Sequence, residues 1–229
     1  MAQATAIGTV SEERINRFLA QVYLVMTLGL VVTGVVSMWA ADNLRLQWRL
    51  ATNPWIAFGL FIVQIIVVVA LSAAAMRLSA GAAALLFLLY AALTGLTLST
   101  IFLVYAKEDI SSVFWITAGT FFLTSLVGLL LKRDLSGGGT VLLMLLLGWV
   151  VAWTFSIIFF PDSNVNWVLN FVGIAIFVGL TAHDTQRLKQ IGQQMDNHPA
   201  RGGLAVVGAL TLYLDFINLF LLLLRARSR

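Results

Sequence analysis

Two aspartates stand where a hydrocarbon environment makes charge expensive. Asp215 lies in the middle of the apolar run 204–220, about a dozen residues from either end of the helix that this run implies. A carboxylate at such depth costs about 2.5–3.5 kcal/mol on insertion scales, so it must be neutral, paired or turned toward water inside a bundle. Thr211, four residues before it, and Asn218, three after it, fall on the same side of a helix and make a polar stripe aimed at the bundle interior. Asp184 ends the run 177–187, with Thr181 three residues earlier on the same face. Being near a helix end, Asp184 has a second option, an interfacial pair with Arg187 at i+3, worth only a few tenths of a kcal/mol.

The stretches that carry Asp184 and Asp215 follow one another with a short connector between them. Antiparallel neighbours of that kind can bring the two carboxyl groups together in the inner half of a membrane. Two carboxylates in one poorly solvated site cannot easily both ionise, so they bind and release protons as a pair, which is the chemistry of a proton sensor. Fully ionised, the same pair offers hard oxygen ligands to a divalent cation such as calcium, which takes about 6–8 oxygens and therefore needs water or carbonyls as well. Arg77, at the inner end of an earlier apolar segment, has the depth and the permanent charge to pair with the aspartates and act as a latch. A plain positive-inside anchor is its alternative role.

The elements that must position these groups are membrane helices. The chain has 229 residues, 60% of them hydrophobic and 10% charged, with a mean hydropathy of +0.96; a soluble domain carries about 25% charged residues. Seven apolar segments follow one another at 18–41, 55–76, 82–105, 112–131, 140–160, 167–187 and 203–224, each near the roughly 20 residues that span a bilayer as helix. No strand-like alternation is visible, which excludes a membrane barrel. The expected fold is an all-α integral membrane protein, a single-domain bundle of seven transmembrane helices. The seventh helix is expected at its centre, because that helix alone carries a mid-segment carboxylate that lipid would penalise. Turn signals separate the segments at Asn53-Pro54, Gly137-Gly138-Gly139, Pro161-Asp162, Pro199 and Gly202-Gly203.

Lysine and arginine set the orientation. With a cytoplasmic N-terminus, Arg14, Arg17, Arg77, Lys132, Arg133, Arg187, Lys189 and Arg201 lie inside, against Arg45, Arg49 and Lys107 outside, eight to three. Seven full crossings place Arg225, Arg227 and Arg229 outside; a re-entrant last segment would return them to the inner face. Small residues recur every fourth position at Gly29, Thr33 and Ser37 in the first segment and at Ala91, Gly95 and Ser99 in the third. Such rows let helix backbones approach closely in lipid. Trp39, Trp48, Trp55, Trp115 and Trp167 lie near segment ends, as an interfacial belt requires.

The residues around the aspartates carry a resemblance. Ala182-His183-Asp184-Thr185-Gln186-Arg187-Leu188-Lys189 and Leu212-Tyr213-Leu214-Asp215-Phe216-Ile217-Asn218-Leu219-Phe220, with Lys132-Arg133-Asp134-Leu135-Ser136 as a weaker third stretch, resemble the Bax inhibitor-1 family, also called the transmembrane Bax inhibitor motif proteins. Segment count and order match over nearly the whole chain. The resemblance implies seven helices with the last at the centre, a pH-sensitive pair at Asp184 and Asp215, passive calcium leak, and Arg77 as the arginine that latches the closed state. It also implies a bacterial plasma (inner) membrane as the location. Two positions depart from the family pattern: the residue before the first aspartate is commonly tyrosine and is His183 here, and the second segment offers Gln64 where a bacterial relative has a carboxylate.

Several function classes are excluded or disfavoured. Zero cysteines exclude disulfides, thiolate metal sites and a cysteine nucleophile. The net charge of +4 reflects topology signals rather than nucleic-acid binding. An intramembrane aspartyl protease also needs two aspartates sharing a proton, but Asp184 follows Leu180-Thr181-Ala182-His183 rather than Gly-x-Gly, and the seventh segment has no proline. No phosphate loop or activated nucleophile appears, so no enzyme and no resident cofactor are expected. His198 is read as a solvated loop residue. The expected partners are the lipid bilayer, calcium and protons, with a regulatory module that binds another membrane protein, such as a membrane protease, as the alternative function.

Overall fold

A computed structural model describes residues 2–74, 77–131, 135, 137–160, 164–194 and 201–227, with side chains from residue 12 onward. Lys132, Arg133, Asp134, Ser136, Pro161, Asp162, His198, Pro199 and Arg229 lie outside the described residues. Among the described residues eight α-helices follow in order: α1 (Ala2–Ala41), α2 (Leu44–Thr52), α3 (Pro54–Ala74), α4 (Ala80–Leu98, continued by a 3-10 turn over Ser99–Leu103), α5 (Lys107–Leu130), α6 (Gly138–Phe159), α7 (Val165–Gln194) and α8 (Arg201–Arg227). All but α2 are long and apolar enough to cross a membrane, seven in total. The chain is an all-helical integral membrane protein.

The helices outrun the apolar segments because helix needs only favourable local geometry, not apolarity. At the start of α1, polar residues continue the helix, and Glu13 pairs with Arg17 one turn on at 3.1 Å. At the end of α4, Ser99 Oγ donates to Leu96 O and Thr100 Oγ1 to Thr97 O, the hydroxyl-to-backbone bonding that competes with a regular α ladder. Residues 42–54, a connector in the sequence reading, hold the short helix α2. Asn43 caps it by accepting from Leu46 N at 3.1 Å, and Gln47 buries its amide by donating to Ala40 O and Ser99 Oγ. Leu44 and Trp48 remain exposed on its other side.

The chain divides into two compact units, 1–105 with 191–213 and 106–190 with 214–229. In the first, the small-residue rows of α1 and α4 meet. Thr33 Oγ1 donates to Ala91 O at 2.9 Å, and a side-chain carbon on Gly95 would lie 2.7 Å from Thr33 O and 2.9 Å from Val36 Cβ. Tyr213 of α8 is fully buried there. Its hydroxyl donates to Thr33 Oγ1 at 2.6 Å, and its ring stands edge-on to Phe87 and Tyr90.

In the second unit, α5, α6 and α7 pack on the last part of α8. Phe216 meets Phe114 and Phe121 edge-on. Phe177, Leu219 and Leu222 form a buried cluster covered by Leu146, Trp149 and Trp153, and Gly173 leaves room for the Trp149 indole. Gly128 lets the backbone of α5 abut the carbonyl of Ala182 in α7.

Of the spanning helices α8 is the most enclosed, with 67% of its apolar window buried against 6–39% for the others. It is one unbroken helix of 27 residues. Arg227 Nε meets Asp109 Oδ1 in the first turn of α5 at 2.7 Å, and Arg225 lies over the Trp153 ring. The last turn of α8 is therefore at the end of this unit where α5 begins. Trp39, Trp48, Trp55, Trp115 and Trp167 are all exposed, as an interfacial belt needs.

The close α1–α4 crossing yields a paired test. Gly95→Ala forces a methyl group onto Thr33 and Val36, whereas a side-chain carbon on Gly148 meets nothing within 4 Å. We expect Gly95→Ala to lower stability in detergent by about 1–3 kcal/mol and Gly148→Ala to leave it unchanged or slightly raised, read as thermal unfolding midpoints.

Candidate functional site

The site lies in the second unit, where the C-terminal half of α7 meets the middle of α8. Asp215 is 5% exposed. No donor among the described residues reaches its Oδ2, and the neighbouring charged group is itself a carboxylate, Asp184. Asp184 is 14% exposed at its side chain, and its Oδ1 lies 2.9 Å from His183 Nδ1. The imidazole rests on the backbone of α6, where a side-chain carbon on Gly139 would come within 2.6 Å of Nε2. Glycine at the start of α6 thus makes the space that lets a buried histidine stand beside Asp184.

The other candidates take defined places. Thr181 is fully buried and donates to Phe177 O one turn back at 2.8 Å. Thr211 donates to Val207 O, and Asn218 Nδ2 to Leu214 O. All three spend a proton on their own helix, leaving oxygen lone pairs as what they can offer a cation. Thr211 and Asn218 are half-buried, and neither is hydrogen-bonded to Asp215 among the described residues. Arg187 is exposed and makes no ion pair with Asp184 among the described residues; the carboxylate takes His183 instead. Arg77 is exposed in the turn after α3, its N–H bonded to Ala74 O, and no carboxylate among the described residues pairs with it. Gln64 Nε2 reaches Thr94 Oγ1 at 3.4 Å in the first unit.

Sequence reasoning passed over the residues that hold Asp184's helix in place. Gln186 is buried; its Oε1 accepts from Leu135 N at 2.7 Å and its Nε2 donates to Leu131 O at 3.2 Å. Lys189 Nζ donates to Leu129 O at 3.0 Å, and Thr185 Oγ1 to Ser125 Oγ at 3.3 Å. Gln186 and Lys189 thus satisfy the Leu131 and Leu129 carbonyls at the end of α5, where intrahelical partners run out. Their spacing, three and four residues apart across Ala182, Thr185, Gln186 and Lys189, was the available signal for one polar face.

Chemically the site is a carboxylate pair with an imidazole beside it. Among the described residues no group of three or more acidic, histidine or cysteine side chains is arranged to hold a metal ion. A divalent cation at the pair would need backbone carbonyls, hydroxyl oxygens or water to complete its shell.

Comparison with known proteins finds relatives over most of the chain. Residues 15–227 match the family model Bax1-I, described as inhibitor of apoptosis-promoting Bax1. The chain is 47% identical over 215 residues to the inner membrane protein YbhL of Escherichia coli (strain K12), covering 92% of this chain and 91% of that one. It is 39% identical over 211 residues to a protein of Borreliella burgdorferi, covering 92% and 90% of the two chains. A membrane protein of Streptococcus pyogenes serotype M3 is 37% identical over 225 residues, 97% of each chain.

The Gln186 clamp gives a prediction separate from any transport assay. Gln186→Leu removes both the bond to the Leu131 carbonyl and the bond from the Leu135 N–H, and should cost about 0.5–1.5 kcal/mol of stability for each bond lost. Gln186→Glu keeps the acceptor for Leu135 N but loses the ionised side chain's donor to Leu131 O, and should fall between. Detergent unfolding of the three proteins checks the order.

Proposed function

The chain belongs to the Bax inhibitor-1 family, and on that premise we propose that it is a bacterial inner-membrane protein through which calcium leaks passively, with Asp184 and Asp215 as the proton-operated switch. The observation that carries this reading is the buried Asp215 carboxyl facing Asp184 with no donor on its Oδ2. Two carboxyl groups so placed hold one proton between them more readily than two negative charges. Once that proton leaves, the doubly negative pair attracts a divalent cation and supplies hard oxygens to it. Proton and cation thus compete for the same oxygens, and pH sets which is held. His183 sets an imidazole nitrogen against Asp184 at 2.9 Å. No catalytic step and no resident cofactor are assigned.

The inner-membrane location follows the printed name of the Escherichia coli relative, and the cytoplasmic N-terminus follows the distribution of lysine and arginine. Arg77 enters as the latch through its fixed charge and the family resemblance. In this role it is drawn to the ionised pair and released by the protonated one.

Calcium flux into proteoliposomes, measured across pH, tests the reading. Wild type should pass calcium at a rate that depends on pH. Asp215→Asn, which keeps the shape but not the titration, should remove most of that dependence. Arg77→Ala should flatten or displace the profile. An unchanged Arg77→Ala profile reduces that residue to a positive-inside anchor. Absence of flux at every pH in wild type overturns the leak and favours a regulatory protein that binds another membrane protein.

A further inference from the structure

A second polar site lies at the other end of the same unit. Ser156 of α6 and Asn170 of α7 are each 3% exposed, and neither Ser156 Oγ nor Asn170 Oδ1 has a hydrogen-bond partner among the described residues. Buried oxygens of this kind are almost always bonded, to protein or to ordered water. The two oxygens occupy the same stretch of facing helices. Trp149 of α6 packs on Gly173 of α7 below them, and Phe160 O accepts from Asn166 Nδ2 at 3.0 Å above them; Ser156 and Asn170 fall between these two contacts on antiparallel chains. Asn170 spends its amide nitrogen on Leu222 O at 3.0 Å, which commits its oxygen to a different direction.

The apolar cluster of Phe177, Leu219 and Leu222 begins where this polar stretch ends. Along α8, Leu222 stands seven residues beyond Asp215, a rise of about 10 Å. The order along the unit is therefore carboxylate pair, apolar cluster, then buried oxygens without donors.

From this order we infer that Ser156 and Asn170 line a small water-holding site at the outer end of the unit, and that the Phe177–Leu219–Leu222 cluster is the dry barrier between that water and the aspartate pair. Water is the occupant the chemistry selects, because both orphan groups accept hydrogen bonds and a buried water needs two or more polar partners. The hydrated site stands on this geometry alone. Its role as the outer mouth of a calcium path rests on the leak function proposed above.

The chain contains no cysteine, so single thiols report water directly. Ser156→Cys, Asn170→Cys, Leu219→Cys and Leu147→Cys, whose parent leucine is 58% exposed on the outside of α6, are reconstituted as full-length protein in liposomes. They are then treated with a small water-soluble cationic methanethiosulfonate. Only a hydrated thiol ionises to the reactive thiolate, so Ser156→Cys should label at least about tenfold faster than Leu147→Cys and Leu219→Cys. Ser156→Cys exchanges one oxygen for sulfur and is the variant least able to disturb the fold; Asn170→Cys should label in the same fast class. If both label as slowly as Leu147→Cys, the hydrated site is overturned. If Leu219→Cys labels as fast as Ser156→Cys, the barrier is overturned. Labelling is read whether or not the liposomes pass calcium, so failure of the leak function would leave this result distinct. Where leak is measurable, Leu219→Ser should raise it severalfold, and an unchanged rate would remove the cluster as the barrier.

Discussion

A carboxylate in the middle of a spanning helix has to be kept from lipid, and much of the architecture answers that requirement. Asp215 cannot face hydrocarbon on any side without a cost of several kcal/mol, so the helix that bears it must be covered by others. Cover is what α8 receives: it is the most buried of the spanning helices, with Tyr213 enclosed in one unit and Leu219 in the other. The helices that cover it can then afford largely apolar outer faces, and α6, at 6% burial of its window, is the extreme case. Close approach supplies what the hydrophobic effect cannot in lipid. Gly95 against Thr33 and Gly128 against Ala182 are the places where backbones nearly touch.

The polar side chains inside the helices fall into two groups with different physical roles. Thr181, Thr211 and Asn218 return their protons to their own helix backbone, which keeps them neutral members of an apolar interior. Gln186, Lys189 and Thr185 reach instead to another helix, tying α7 to the end of α5. The second group fixes the height at which Asp184 stands, and with it the meeting of the two carboxyl groups. The proposed proton switch would need that rigidity, since the interaction between two buried charges changes steeply with their separation.

Much of the fold is legible in the amino-acid order because lipid imposes a simple rule: a long apolar stretch is a spanning helix. The seven stretches correspond to seven spanning helices, and the spaced small residues of the first and third segments do face each other. Asp184 and Asp215 were recognisable as partners because charge in a membrane is rare and consecutive helices are antiparallel neighbours. Helix α2 was not legible as a helix. Its nine residues depend on the Asn43 cap and on Gln47 finding Ala40 O and Ser99 Oγ, and the latter contact spans more than fifty positions of chain.

By itself the sequence determined the number of helices able to span a membrane and put the two aspartates on consecutive helices, since both follow from local composition. Tertiary structure decided that Asp184 leans on His183 rather than Arg187, because Gly139 of another helix opens the space for the imidazole. It also decided that the last segment is one unbroken helix whose terminal arginines meet Asp109 and Trp153. These outcomes rest on pairings between residues far apart in the chain. Local pattern cannot specify such pairings, because their energies exist only once packing has brought the helices into register.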